Sequence, residues 1–137
     1  MRVLRKFLVL QSNNIILFPP KIPDLPKIPD LMKARLRARD AKRRADLSQI
    51  MGAMEMYFSD EGRYLEAPAM PTAISNYLDP VPVDPGLGPC ASYQWISNVG
   101  HPQQFCAWAC LESGKFLAIS PKGSTELDKP PTNLDCW

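Results

Sequence analysis

The chain has 137 residues, enough for one domain with a single modest core, and its 45% apolar and 22% charged residues exclude wholesale disorder, collagen and disulfide-knot scaffolds. The formal net charge of +2 conceals a division: residues 1–44 hold 12 Lys/Arg against 3 Asp/Glu, and residues 45–137 hold 4 against 11. A basic stem leads into an acidic head, and the acidity excludes the head as a nucleic-acid-binding domain, because phosphate attraction supplies most non-specific affinity.

The chain opens with Arg2, Arg5 and Lys6 and two short apolar runs, Phe7 to Leu10 and Ile15 to Phe18. Neither approaches the roughly 18 apolar residues of a membrane span. Gln11 to Asn14 interrupt the apolar part and no small-residue cleavage site follows, which argues against a signal peptide. Pro-Lys-Ile-Pro-Asp-Leu then occurs twice over residues 20–31. Proline at every third position favours an extended polyproline II segment or disorder, read here as a semi-rigid spacer.

Leu31 to Phe58 contains no proline and is rich in Ala, Arg, Lys, Leu and Met, which predicts a long helix over about residues 32–58. Leu47, Ile50, Met51, Met54 and Phe58 recur at helical spacing and form the predicted core face. The first half shows no such stripe. There Arg35, Arg37, Arg39, Lys42, Arg43 and Arg44 surround the axis, and Ala34, Ala38, Ala41 and Ala45 form a thin small-residue face. A half that cannot bury one side is expected to project or to pack on partners, which makes those basic residues candidates for assembly or polyanion contact. Gly62 can take the left-handed position that ends the helix.

Residues 59–91 read as a loop region, since seven of the 15 prolines lie between Pro68 and Pro102. A short helical turn is expected at Ile74 to Leu78, followed by an extended crossing from Asp79 to Gly86. Ser92 to Ser97, Gln104 to Leu111 and Lys115 to Ser120 read as strands, and their short spacers predict an antiparallel meander. Pro121 to Trp137 has turn chemistry without strand periodicity. The fold class is α+β: a long helix on a three- to four-stranded antiparallel sheet, with a disulfide-stapled C-terminal region.

Cys90, Cys106, Cys110 and Cys136 all lie in the head. In one strand, Cys106 and Cys110 share a face but stand about 13 Å apart, beyond the roughly 7 Å limit for a bridge. Folding residues 92–111 about a turn near Gly100 brings Cys90 beside residue 110 or 111, which favours Cys90 with Cys110 and Cys106 with Cys136. The rival, a four-cysteine zinc site, prefers tighter spacings than the gaps of 15, 3 and 25 residues found here. Bridged cysteines imply maturation outside the cytosol.

Little points to catalysis. The single histidine, His101, lies in a Gly-His-Pro turn with no acid placed to orient it, which disfavours a cysteine nucleophile. Asp60 with Glu61, and Asp79 with Asp84, read as helix-end and turn residues, with too few oxygens for a hard cation. No catalytic residue, cofactor site, metal site or small-molecule substrate is expected.

Ala38 to Ile50, continuing through Met54 to Phe58 and Gly62-Arg63-Tyr64, resembles the second half of the long N-terminal helix of type IV pilins and type II secretion pseudopilins. The resemblance continues through Tyr77-Leu78, Pro82-Val83-Asp84-Pro85, Tyr93-Gln94-Trp95 and the hairpin from Ala109 to Gly114, covering about residues 32–120. It implies a pilin-like domain over residues 32–137, behind a non-family leader at 1–31. It also implies a non-enzymatic filament subunit at the cell surface or in the periplasm, associating with itself and with other pilin-like subunits. Family members begin with a prepilin peptidase motif and an apolar membrane-spanning run. Here Arg2 to Leu31 hold neither, and the return of the pattern at Met32 reads as a junction. Membrane attachment would then need an apolar helix absent from this sequence. The rival readings are a module whose basic helix contacts nucleic acid and a small secreted disulfide domain.

Overall fold

The computed structural model describes residues 27–137, so the apolar runs, the first hexapeptide copy and most of the leader lie outside the described residues. The chain divides into two units, Met1–Lys33 and Ala34–Trp137. Among the described residues there is one helix, α1 (Ile28–Glu61), and four strands, β1 (Gln94–Trp95), β2 (Ala107–Cys110), β3 (Phe116–Ser120) and β4 (Gly123–Leu127).

The helix begins inside the second hexapeptide copy, which corrects the extended reading of residues 28–31. The backbone N–H groups of Asp30 and Leu31 donate to the Lys27 carbonyl, closing a first turn around Pro29. Proline is tolerated there because the first-turn N–H groups have no intrahelical acceptor. At the other end the Gly62 N–H donates to the Phe58 carbonyl at 2.8 Å and Gly62 takes a φ of +70°, terminating the helix where a left-handed residue is available.

The sheet is an antiparallel meander in the order β1-β2-β3-β4. The fourth strand corrects the reading of the tail as turns alone. Pro121 and Lys122 make a two-residue connection, Ser120 pairs with Gly123, and β4 runs antiparallel to β3 out to Leu127. Gly-Ser-Thr-Glu-Leu alternates between half-buried and exposed positions, but the half-buried ones are Gly123, Thr125 and Leu127, so only one large apolar residue marks that face. The expected helical turn at residues 74–78 is instead a tight turn closed by an antiparallel bridge between Ile74 and Leu78.

Residues alternate across the sheet. Ala107 and Ala109 of β2 and Leu117 and Ile119 of β3 join Leu47, Ile50 and Met54 of α1 in one buried core, closed by Phe105, Tyr64, Ile74 and Val81. Met51 and Phe58 are partly buried against it. The opposite face holds a smaller cluster of Cys106, Ala118 and Cys136. Disulfides join Cys90 to Cys110 and Cys106 to Cys136, and no cysteine is free.

Candidate functional site

The basic residues of α1 between Arg39 and Arg44 do not stand free, which corrects the expectation that this half of the helix lacks partners in its own chain. Arg39, Asp40 and Arg43 lie three and four residues apart, on neighbouring positions of one helix face. Arg43 is wholly buried. Its Nε donates to Asp84 Oδ2 at 2.9 Å and its Nη2 to Asp84 Oδ1 at 3.2 Å, a forked pair. Its Nη1 donates to Asp40 Oδ1 at 2.8 Å and to Glu112 Oε1 at 3.1 Å. Arg39 Nε reaches the same Glu112 oxygen at 2.6 Å, and the Glu112 backbone N–H donates to Asp40 Oδ1.

Two more contacts extend the cluster along the helix. Lys42 Nζ lies 2.5 Å from Asp46 Oδ2, which also accepts from the Tyr93 hydroxyl at 2.6 Å. Arg44, half exposed, pairs with Glu126 on β4 at 2.5 Å. Each partner comes from a segment fixed elsewhere. Asp84 sits in the Pro-rich crossing, where its Oδ1 also accepts the Gly86 N–H. Glu112 follows β2 at the start of the turn to β3, and the Cys90–Cys110 bridge ties the crossing to the end of β2. Gly88 completes the seat, because a Cβ at that position would overlap the Arg43 guanidinium.

The electrostatics agree with the geometry. Arg43 has its pKa raised, chiefly by its hydrogen bonds to Asp84 against the cost of burial. Burial pushes the Asp84 carboxyl up, but the hydrogen bonds from Arg43 and the Gly86 N–H outweigh it and hold the group below its ordinary value. Glu112 is also held low, mainly by the hydrogen bond from Arg39. Burial raises the Tyr93 hydroxyl, and its hydrogen bond to Asp46 adds to that. No buried side-chain polar atom among the described residues lacks a partner.

This arrangement fixes α1 to the head through charge-assisted hydrogen bonds. An open groove of about 660 Å³ beside β1 is lined by Pro68, Met70, Pro82, Tyr93 and Trp95, but its carboxylate, Asp84, is taken up by Arg43. Among the described residues no cluster of His, Cys, Asp and Glu could hold a metal ion, and His101 is exposed in its turn.

Of the six candidate contact residues, Arg39, Lys42, Arg43 and Arg44 are therefore committed to the head's own carboxylates. Arg35 and Arg37 are exposed. The sequence reading missed Asp40, Asp46, Tyr93 and Glu112, and read Asp84 only as a turn residue. The available signal was the opposite charge of stem and head, which allows pairing within one chain as readily as between chains. No family model matches the chain, and neither a curated protein nor a solved structure matches it.

Proposed function

We propose that the chain is a non-catalytic subunit of a type IV pilus-like or type II secretion pseudopilus-like filament, assembling through α1. The observation that carries this reading is how differently the two ends of one continuous helix are treated. Residues 43–54 contribute six buried side chains, whereas every residue from 28 to 38 is exposed. A helix of 34 residues whose N-terminal turns are unburied and whose C-terminal half is clamped to a head suits a subunit that offers helix surface to neighbours. The ion-pair cluster then fixes the head on the helix, so that helix contacts set the position of the head. Two disulfides fit an oxidising, extracytoplasmic setting. No helix among the described residues is long and apolar enough to cross a membrane.

Mass spectrometry of the native protein's N-terminus, taken from a sheared cell-surface or membrane fraction, tests the proposal. An N-methylated residue leading an apolar segment is the expected result. An N-terminus at Met1 in a soluble fraction would overturn it and move the binding-module reading ahead.

A further inference from the structure

The exposed large apolar residues between Ala34 and Trp137 are not scattered over the surface. Apart from Met56 on α1, they collect at the two ends of the head. Leu36, Val83 and Leu87 stand where the stem leaves the head, with Val83 76% and Leu87 73% exposed. The ion-pair cluster fixes that end: Val83 precedes Asp84 and Leu87 precedes Gly88, the two residues set against the Arg43 guanidinium. Val99 and Trp137 stand at the opposite end, where α1 stops. The Tyr64 N–H donates to the Pro102 carbonyl and Gln103 Nε2 to the Gly62 carbonyl, which places the loop holding Val99 beside the end of the helix. Lys122, in the turn after β3, lies 4.8 Å from the centre of the Trp137 ring. Since β3 starts close after Glu112, its far end lies away from the cluster.

Charge divides along the same axis. Arg35 lies four residues before Arg39, and Leu36 three before it, so both stand on the side of the stem that continues into the cluster. Arg35 is exposed and has no carboxylate in ion-pair range among the described residues. Asp60 and Glu61, at the other end, are exposed and have no cation in range among the described residues. The last turn of α1 contains no basic residue, so these carboxylates add to the negative end of the helix dipole. One end of the molecule thus offers apolar side chains beside a free cation, and the other offers apolar side chains beside free carboxylates.

We propose that the far end of one head seats on the cluster end of the next copy, beside its stem. Val99 and Trp137 then cover Val83 and Leu87, while Asp60 and Glu61 pair with Arg35. Both apolar groups leave water, and each acidic last turn gains a cation. Two different surfaces meet, so the contact is heterologous and repeats from copy to copy with all stems pointing the same way. It rests on the filament reading and adds to it the surface that receives the head of the neighbouring subunit.

Sedimentation velocity of the full chain with disulfides intact tests this contact, and association that keeps growing with concentration is expected. R35Q/V83S/L87S and D60N/E61Q/V99S should each weaken it at least about tenfold while the circular dichroism stays unchanged. Mixed, each variant supplies the end that the other lacks, so they should form a heterodimer and nothing larger. R37Q should associate as the parent does, because Arg37 lies roughly half a turn from Arg39, on the other side of the stem. A bismaleimide reagent should cross-link L87C to V99C but neither variant to itself. A parent that stays monomeric up to about 1 mM, growth that stops at a closed dimer, a mixture that fails to associate, a loss in R37Q as large as in R35Q/V83S/L87S, or L87C cross-linking to its own copy as readily as to V99C would overturn the proposal. An N-methylated N-terminus beside any of those results would keep the filament reading and remove only this contact.

Discussion

Replacing Arg43 by methionine removes the one cation that three carboxylates share, and Asp84 is as deeply buried as Arg43 itself. The substitution keeps much of the volume, so the loss is electrostatic and is set by the carboxylates left behind. Breaking a buried pair by removing one partner costs about 3–5 kcal/mol, because the surviving charge stays desolvated without compensation. With a urea slope near 1.5 kcal/mol/M, the midpoint should fall by about 2–3 M. Equilibrium urea unfolding followed by tryptophan fluorescence, with both disulfides intact, measures this directly. Two companions locate the cause. Arg43→Lys keeps the charge but not the fork, and should recover only part of the loss. Arg43→Met with Asp84→Leu removes the stranded carboxylate, and should be more stable than Arg43→Met alone. A loss below about 1 kcal/mol for Arg43→Met would refute the clamp, since a solvent-exposed ion pair is worth up to about that much.

Stability should fall in acid, because Asp84 and Glu112 titrate below their ordinary values of 3.8 and 4.5 in the folded state. The unfolded chain then binds more protons, so the stabilisation is full above those values and drains as pH drops through the folded ones. Thermal unfolding across pH 2–6 should show this, with a shallower slope for Glu112→Gln. Alkylation of the unreduced protein should find no reactive thiol, and reduction should cost about 3 kcal/mol per bridge for loops of 20 and 30 residues. Breaking only Cys106–Cys136 should expose the segment after Leu127 to limited proteolysis, with β1–β3 left intact. Replacing Arg39, Lys42 and Arg44 by Gln should leave the salt slope of any DNA binding unchanged, because these cations are engaged within the chain. A slope that becomes shallower by about two to three would show that the cluster opens to bind phosphate.

Some of this architecture was legible from the residues alone, since its signals are local. A run of strong helix formers without proline specifies α1, and Gly62 marks its end. Leu47, Ile50 and Met54 at helical spacing identify the buried face. The cysteine pairing follows from folding one strand back on the next, because bridge geometry allows few partners. What only the tertiary structure decided depends on contacts between distant residues. Arg43 meets Asp84 across 41 positions and Arg39 meets Glu112 across 73, and no periodicity records either meeting. An arginine reads as exposed until a loop closes over it, so the charge from Arg39 to Arg44 looked available for partners when it was already paired within the chain. The edge strand β4 was hidden for a related reason. Its half-buried positions hold Gly123 and Thr125 before Leu127, so its alternation carries almost no apolar signal, and its pairing with β3 identifies it as a strand.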